Sequence, residues 1–224
     1  MAGLPLSIVI PVLNEGAQLT SCLQCLQGLR QAEAELIVVD GGSMDDSVER
    51  ATAQADLVIS SPRGRSLQMN AGAAKARGDY LLFLHSDTRL PVGFSSHWLS
   101  DNVWGFFPVK LSGDRWAFRV IERAMSCRAR FSGIGTGDQA LFVRRDIFDQ
   151  IGGFAAIPLM EDVEICRRLK VLCPPKVLSP TVLTSARRWQ QRGIVSTVLQ
   201  MWWLRLAFFL GVSPARLARR YYPE

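Results

Sequence analysis

The chain has 224 residues, 48% of them apolar and 21% charged, which allows a full core and fits one domain or one domain with an appendage. A net charge of +6 and a pI near 9.4 call for anionic partners such as nucleotide diphosphates or acidic lipid head groups. Nucleic acid is not expected among them, because the arginines form no long stripe with interleaved aromatics and no helix-turn-helix or zinc-finger spacing occurs.

The apolar run Leu4 to Leu13 has no basic segment before it and no small-residue cleavage site, and Glu15 closes it. It therefore predicts a buried strand over Leu6–Val12 and not a signal peptide. Leu19, Cys22, Leu23, Leu26 and Leu29 recur at helical spacing over residues 16–29. Cys22 and Cys25 form a CxxC within that helix. With five cysteines, two histidines and no second CxxC, two buried core thiols in a reduced, cytoplasmic protein are expected in place of a redox or zinc pair. A second buried strand follows over Glu35–Asp40, then a helix over Asp45–Gln54 and a strand over Leu57–Ser60. A helix over Ser66–Ala76 and a strand over Tyr80–Leu84 complete the alternation. Strands alternating with helices predict an α/β fold with a mostly parallel central sheet and helices on both faces.

Ligands of such sheets sit beyond the carboxyl ends of the strands. Those ends are followed here by Asn14-Glu15, Asp40-Gly41-Gly42, Arg63-Gly64-Arg65 and His85-Ser86-Asp87, all polar or glycine-rich. The second half is less regular. It predicts a strand over Val103–Leu111, a helix over Trp116–Arg130, a strand over Ala140–Val143 and a helix over Glu161–Val171. A long apolar helix over residues 194–211 ends the series, with no internal repeat or clear linker.

Several segments bear chemistry as well as a plainer explanation. In Val38-Val-Asp-Gly-Gly-Ser-Met-Asp-Asp46 the glycines let backbone amides approach a ligand, while Asp45 caps the next helix. Capping leaves Asp40 unexplained, and its carboxylate could accept a base N–H. Asp87, after an apolar strand, can hold a divalent cation against diphosphate oxygens or simply close a turn. Gly133-Ile-Gly-Thr-Gly137 lacks the strand before and helix after that a dinucleotide fingerprint needs, so it predicts a tight loop near a substrate. Glu161, Asp162 and Glu164 crowd one helix start, where they complement the dipole or supply a general base.

Taken in order, Ile10-Pro-Val-Leu-Asn-Glu15, Val39-Asp-Gly-Gly-Ser43 with Asp45, and Phe83-Leu-His-Ser-Asp-Thr88 resemble the family 2 inverting glycosyltransferases. Thr136-Gly-Asp-Gln139, Ile151-Gly-Gly-Phe154 and Glu161-Asp162 continue the pattern, which covers residues 5 to about 170. Arg65-Ser-Leu-Gln-Met-Asn70 and Leu84-His-Ser-Asp87 are similar to segments of a subgroup of short bacterial enzymes. The resemblance implies the GT-A nucleotide-diphosphosugar fold over residues 1–190, with a donor half to about residue 90 and an acceptor half beyond it. Residues 191–224 would then be a C-terminal apolar and basic helical appendage. Pro11, Leu13 and Glu15 would line the nucleoside pocket and Asp40 with Gly41 would meet the base. Arg65, Asn70, Ser86 and Asp87 would complete the donor site. Asp87 stands where the last metal-binding acid of the family stands, for manganese or magnesium, and Asp162 where the catalytic base stands, with Glu161 orienting it. His85 departs from the family's first metal acid; a neutral imidazole could ligate the ion or contact the donor. The Gln-x-x-Arg-Trp signature of processive relatives is reduced to Arg188-Trp189.

The implied reaction moves a sugar, as in the hexosyltransferases, from a nucleotide-diphosphate sugar to an acceptor hydroxyl by single displacement. The acceptor is not specified, and a lipid-linked one would suit a membrane-facing enzyme. A sugar nucleotidyltransferase of the same fold is one alternative, weakened because Val12-Leu-Asn-Glu-Gly16 stands where its glycine-rich loop would be. A non-catalytic membrane-docking module is another. Trp202, Trp203 and the flanking Arg187, Arg188, Arg192, Arg216, Arg219 and Arg220 predict interfacial contact, and Arg205 opposes spanning. The competing possibilities are a helix packed over the core or a dimer seam. Docking would make the chain cytoplasmic with a peripheral seat on the inner membrane face.

Overall fold

Leu6–Val12 forms β1, every residue of it buried, because β-branched and apolar side chains suit a strand covered on both faces. The computed structural model describes residues 5–32 and 34–222, so Leu4, where the first apolar run begins, lies outside the described residues. The chain continues through α1 (Gly16–Ala32), β2 (Ala34–Asp40), α2 (Ser47–Thr52), β3 (Leu57–Ser60), α3 (Arg65–Ala73) and β4 (Tyr80–Phe83). β2 lies parallel to β1, with Leu6 opposite Ala34 and Val12 opposite Asp40. β3 adds outside β2, whereas β4 returns to the other edge of β1. That reversal opens a crevice beyond the carboxyl ends of β1 and β4, where open α/β sheets hold their ligands.

Next come β5 (Thr88–Arg89), β6 (Trp104–Phe106), β7 (Val109–Leu111), α4 (Trp116–Ser132), β8 (Leu141–Arg144), α5 (Arg145–Gln150) and α6 (Glu161–Leu172). The last are β9 (Lys176–Val177), β10 (Val182–Thr184), α7 (Arg187–Arg192), α8 (Ile194–Phe209) and α9 (Pro214–Tyr221). The main sheet runs β3-β2-β1-β4-β8-β6-β9 and a small second sheet runs β5-β10-β7. β8 is antiparallel to both β4 and β6. The single strand expected over Val103–Leu111 is thus two strands in different sheets. Pro108, which has no N–H for a ladder, sits in the break, and Phe107 N bonds Gln139 O at 2.8 Å outside either sheet.

Alternation along β1 sends Val9 into one core layer with Phe83, and Ile8 and Ile10 into the other with Leu82. α3 lies on the Val9 face because Gly72 lets it approach. A Cβ on Gly72 would come within 2.4 Å of Val9 Cγ1 and 2.9 Å of Val39 Cγ2. Gly72→Ala is expected to lower the unfolding free energy by roughly 1–3 kcal/mol through overpacking. Urea denaturation checks it: the midpoint should fall with an unchanged slope.

One expectation is corrected here. Cys22 is buried, and burial pushes its thiol up to about 12, but Cys25 is exposed, so the CxxC is not a pair of core thiols. Three residues apart, they stand one turn along and roughly 60° around the helix from each other, enough to carry Cys25 off the buried stripe. The terminal apolar helix packs partly onto the core, one of the possibilities the sequence left open. α8 ends at Phe209, and Leu204 and Ala207, with Leu217 and Tyr221 of α9, join the main core cluster.

Candidate active site

The loops after β1 and β2 are laced together. Asn14 N donates to Ser43 Oγ (2.9 Å) and Asn14 Oδ1 accepts from Met44 N (2.8 Å). Glu15 N donates to Ser47 Oγ (3.0 Å). Asp45 accepts from Gly16 N (3.2 Å) and Ser47 N (3.0 Å), so one carboxylate serves the starts of both α1 and α2. Asp40 is buried and closes its own turn, accepting from Gly42 N (2.9 Å) and Ser43 N (3.1 Å). Pro11 is inside β1, paired with Val39, and Leu13 follows it half-buried. Gln68, absent from the sequence expectations, donates from Nε2 to Val12 O and Val39 O, both at 2.8 Å. It thereby fastens the ends of β1 and β2 under Gly41, where a Cβ would lie 3.0 Å from its amide.

Across the crevice, beyond β4, Ser86 Oγ donates to Glu15 Oε2. Burial, then the neighbouring Asp87 charge, raises the Glu15 carboxyl above its usual range. His85 Nδ1 lies 3.4 Å from Asp138 Oδ1. The ring rests against Gly137, where a Cβ would stand 2.4 Å from His85 Cε1; only glycine permits that seat. Crowding pushes the Asp138 carboxyl up, but the His85 hydrogen bond and the charges of His85, Arg188 and Arg65 outweigh it and hold the group at about 2. Nearly half of the side chain still faces solvent.

The third wall is the start of α6. Asp162 accepts from Gly137 N through Oδ2 (3.0 Å) and from Val163 N through Oδ1 (2.7 Å). Burial, then the Asp162 charge, raises the neighbouring Glu161 carboxyl. The loop from Gly133 to Gln139 is the tight turn expected from its glycines. Thr136 and Gln139 form a reciprocal capping box, and Arg128 reaches Ile134 O at 3.1 Å and Gln139 Oε1 at 3.3 Å. His85, Thr136, Gly137, Glu161 and Asp162 line one cavity. Arg65 lies within electrostatic reach of Glu15, Glu161, Asp138 and Asp162, carboxylates of all three walls. Asn70 clamps the Phe154 peptide, donating to its O at 2.8 Å and accepting from its N at 2.9 Å. Its amide therefore holds α3 to the loop before α6.

Three arginines from the C-terminal region were unforeseen at the site. Arg187 acts on Glu15, Arg188 on Asp138, and Arg205 feels Asp162 and Asp138. Burial lowers the guanidinium affinity for protons at Arg188 and Arg205, and the carboxylates oppose it. Arg188 also hydrogen-bonds the Tyr221 hydroxyl and lies 4.8 Å from the centre of its ring. Arg188 is half-buried beside these carboxylates, whereas Arg187 remains exposed at their edge.

Residues 7–97 match the family model described as glycosyl transferase family 2. A PGL/p-HBAD biosynthesis glycosyltransferase of Mycobacterium tuberculosis is 31% identical over 175 residues, covering 69% of this chain and 64% of that protein. The chain belongs to glycosyl transferase family 2. It spans just under two thirds of the mycobacterial relative's length. Solved structures agree on the fold. S. aureus TarS 1-349 in complex with UDP matches with a TM-score of 0.65 at 17% identity, over 81% of this chain and 60% of that one. The mannosyltransferase PcManGT of Pyrobaculum calidifontis, in complex with GDP-Man and Mn2+, matches with a TM-score of 0.61 at 16% identity, over 92% and 61%.

In this family 2 chain, no three His, Cys, Asp or Glu side chains converge as a metal cage among the described residues. Asp87 stands within electrostatic reach of Glu15, and His85 beside Asp138. Magnesium keeps several waters and takes one or two carboxylates besides substrate phosphates. The donor set therefore fits a cation shared with a diphosphate and does not fit a closed protein site.

Proposed function

We propose that the chain is an inverting glycosyltransferase that moves a sugar from a nucleotide-diphosphate donor to an acceptor hydroxyl by metal-assisted single displacement. The observation that carries this reading is the meeting of Glu15 with Ser86, His85 with Asp138, and Gly137 with Asp162, beside Glu161 and within electrostatic reach of Arg65, at the crevice where the strand order reverses. The donor half is residues up to about 90 and the acceptor half runs on to about 190. Pro11, Leu13, Glu15, Asp40 and Gly41 form the nucleoside side of the crevice, and Arg65, Ser86 and Asp87 the phosphate side. Asn70 supports them through Phe154.

Asp87, with His85 beside it, would hold the divalent cation, manganese or magnesium, which neutralises charge on the leaving diphosphate. Asp162 takes the proton of the acceptor hydroxyl. Its two backbone hydrogen bonds fix the carboxylate at a helix N-terminus, where the dipole favours negative charge, and leave lone pairs for the incoming proton. The freed oxygen pair forms the new bond to the anomeric carbon as the bond to the diphosphate oxygen breaks on the opposite face. Arg65, Arg188 and Arg205, each within electrostatic reach of the site's carboxylates, supply positive charge against the negative charge that develops. Glu161, whose carboxyl is raised by burial and by the Asp162 charge, orients its neighbour or the acceptor.

Thermal melting in a panel of nucleotide diphosphates and their sugars, with and without manganese, tests the donor site. A ligand at 100 times its dissociation constant should stabilise the fold by about 2.7 kcal/mol. That corresponds to a rise of several degrees for a chain of this size. No shift with any nucleotide, together with no release of nucleotide diphosphate from any sugar donor, would overturn the proposal.

A further inference from the structure

The outward face of α8 has no role in the site. Val195, Leu199, Trp202, Leu206 and Phe209 recur at intervals of three and four residues, and all are exposed, Trp202 at 70% and Leu206 at 60%. Leu210, at 75%, extends the patch past the helix end. Thr197, Leu204 and Ala207 are the buried residues of the same helix, on the side that meets the core. Packing therefore accounts for one side of α8 and leaves an apolar stripe on the other. Contiguous exposed apolar stripes on soluble domains mark contact surfaces.

Charge identifies what covers this one. Residues 165–223 contain eleven basic side chains and no acidic one, so the rest of the chain holds 15 basic against 20 acidic residues and is net negative. The whole positive charge of the protein lies in its last quarter. Arg216, Arg219 and Arg220 are exposed on α9, and Arg192 is exposed just before α8. The Arg220 guanidinium stands 4.1 Å from the centre of the Trp203 ring and that of Arg167 5.8 Å from Phe209, which puts cations along the rim of the stripe. α8 has 16 residues, about 24 Å at 1.5 Å each. A bilayer core is ~30 Å thick. Among the described residues no helix is long and apolar enough to cross a membrane.

We infer that the outer face of α8, rimmed by the arginines of α9, is a docking surface for an anionic phospholipid bilayer, on which the helix lies in the plane of the interface. Tryptophans and leucines enter the boundary between head groups and acyl chains while the arginines meet phosphates. A second copy is a poorer occupant, since a twofold seam on this stripe would set Arg216, Arg219 and Arg220 beside their own duplicates.

Flotation of the full chain, without donor or acceptor, tests this independently of any transfer reaction. The vesicles are equal parts phosphatidylcholine and phosphatidylglycerol, compared with phosphatidylcholine alone. The chain should float with the anionic vesicles, stay behind with the neutral ones, and be released by raising the salt to about 1 M, where the Debye length falls to ~3 Å. Arg216→Gln/Arg219→Gln/Arg220→Gln should weaken binding on the order of 100-fold, from about 1 kcal/mol per arginine. Trp202→Ser/Leu206→Ser should also weaken it while leaving the thermal melt in place, because both side chains are exposed. A chain that stays in solution beside anionic vesicles at low salt overturns the inference. So does binding indifferent to both sets of substitutions, or a lipid-free dimer that Trp202→Ser/Leu206→Ser dissociates.

Discussion

Asp162→Asn is expected to depress sugar transfer by roughly 10²–10⁴-fold, the range supplied by a positioned general base, while nucleotide-diphosphate affinity stays within a few-fold of the wild type. The carboxylate accepts two backbone amides, from Gly137 at 3.0 Å and Val163 at 2.7 Å. An asparagine keeps one acceptor oxygen and turns an NH2 toward the other amide, so one hydrogen bond is lost. The cost is about 1 kcal/mol of stability, too little to unfold the chain. On the proposed mechanism, what disappears is the group that receives the acceptor proton. A loss confined to the transition state lowers kcat and kcat/KM together and spares ground-state binding of the donor. Nucleotide titration beside steady-state rates separates the two. Near-normal turnover in the Asn variant would remove Asp162 from the role, and Glu161→Gln would become the next substitution to measure.

The half of the site carried by the first strands was legible in the sequence because each apolar run there stops abruptly at a polar residue. Glu15 and Asp87 follow, and Asp40 ends, strands whose bounds the hydrophobic pattern fixes within a residue or so, and the parallel-sheet rule assigns those ends to the ligand crevice. The second half was less legible because its pieces meet by tertiary contact alone. Asp138 is unremarkable in a short glycine-rich loop until His85 and Arg188 stand beside it. Gln68 lies inside a helix, and nothing in helical periodicity says that its amide will tie two strand ends together. Arg188 and Arg205 give no sign of the site in sequence. Flanking or interrupting an apolar helix, they carry the same local pattern whether they face lipid phosphates or buried carboxylates, and only the fold of α7 and α8 over the crevice distinguishes the two. Three residues at left-handed φ, Asn14 (54°), Ala140 (47°) and Met160 (69°), adjoin Glu15, Gln139 and Glu161. Such backbone costs of order 1–3 kcal/mol each and collects at functional sites. An asparagine before Glu15 hints at it, but an alanine and a methionine give no sign in sequence.

Asp87→Ala is expected to remove most of the dependence of donor binding on manganese and to reduce transfer on the order of 10²–10³-fold. Asp87 follows β4 at the point where the crevice opens, and its charge is felt by Glu15 across that crevice. A cation shared with a diphosphate rests on few protein oxygens, so removing one carboxylate takes away a large share of its protein contacts. His85→Ala should do less. Its ring is seated against Gly137 with Nδ1 turned to Asp138, and its loss leaves the Asp87 carboxylate in place. It should instead free Asp138, whose carboxyl would rise from about 2 toward the usual range once the His85 hydrogen bond and charge are gone. Titrating nucleoside diphosphate into each variant with and without manganese distinguishes the two residues. The wild type should bind more tightly with the metal, the His85 variant should keep most of that gain, and the Asp87 variant should show almost none. An Asp87 variant that retained the full manganese-dependent gain would move the cation elsewhere in the crevice, with Asp138 and Glu15 as the remaining carboxylates able to receive it.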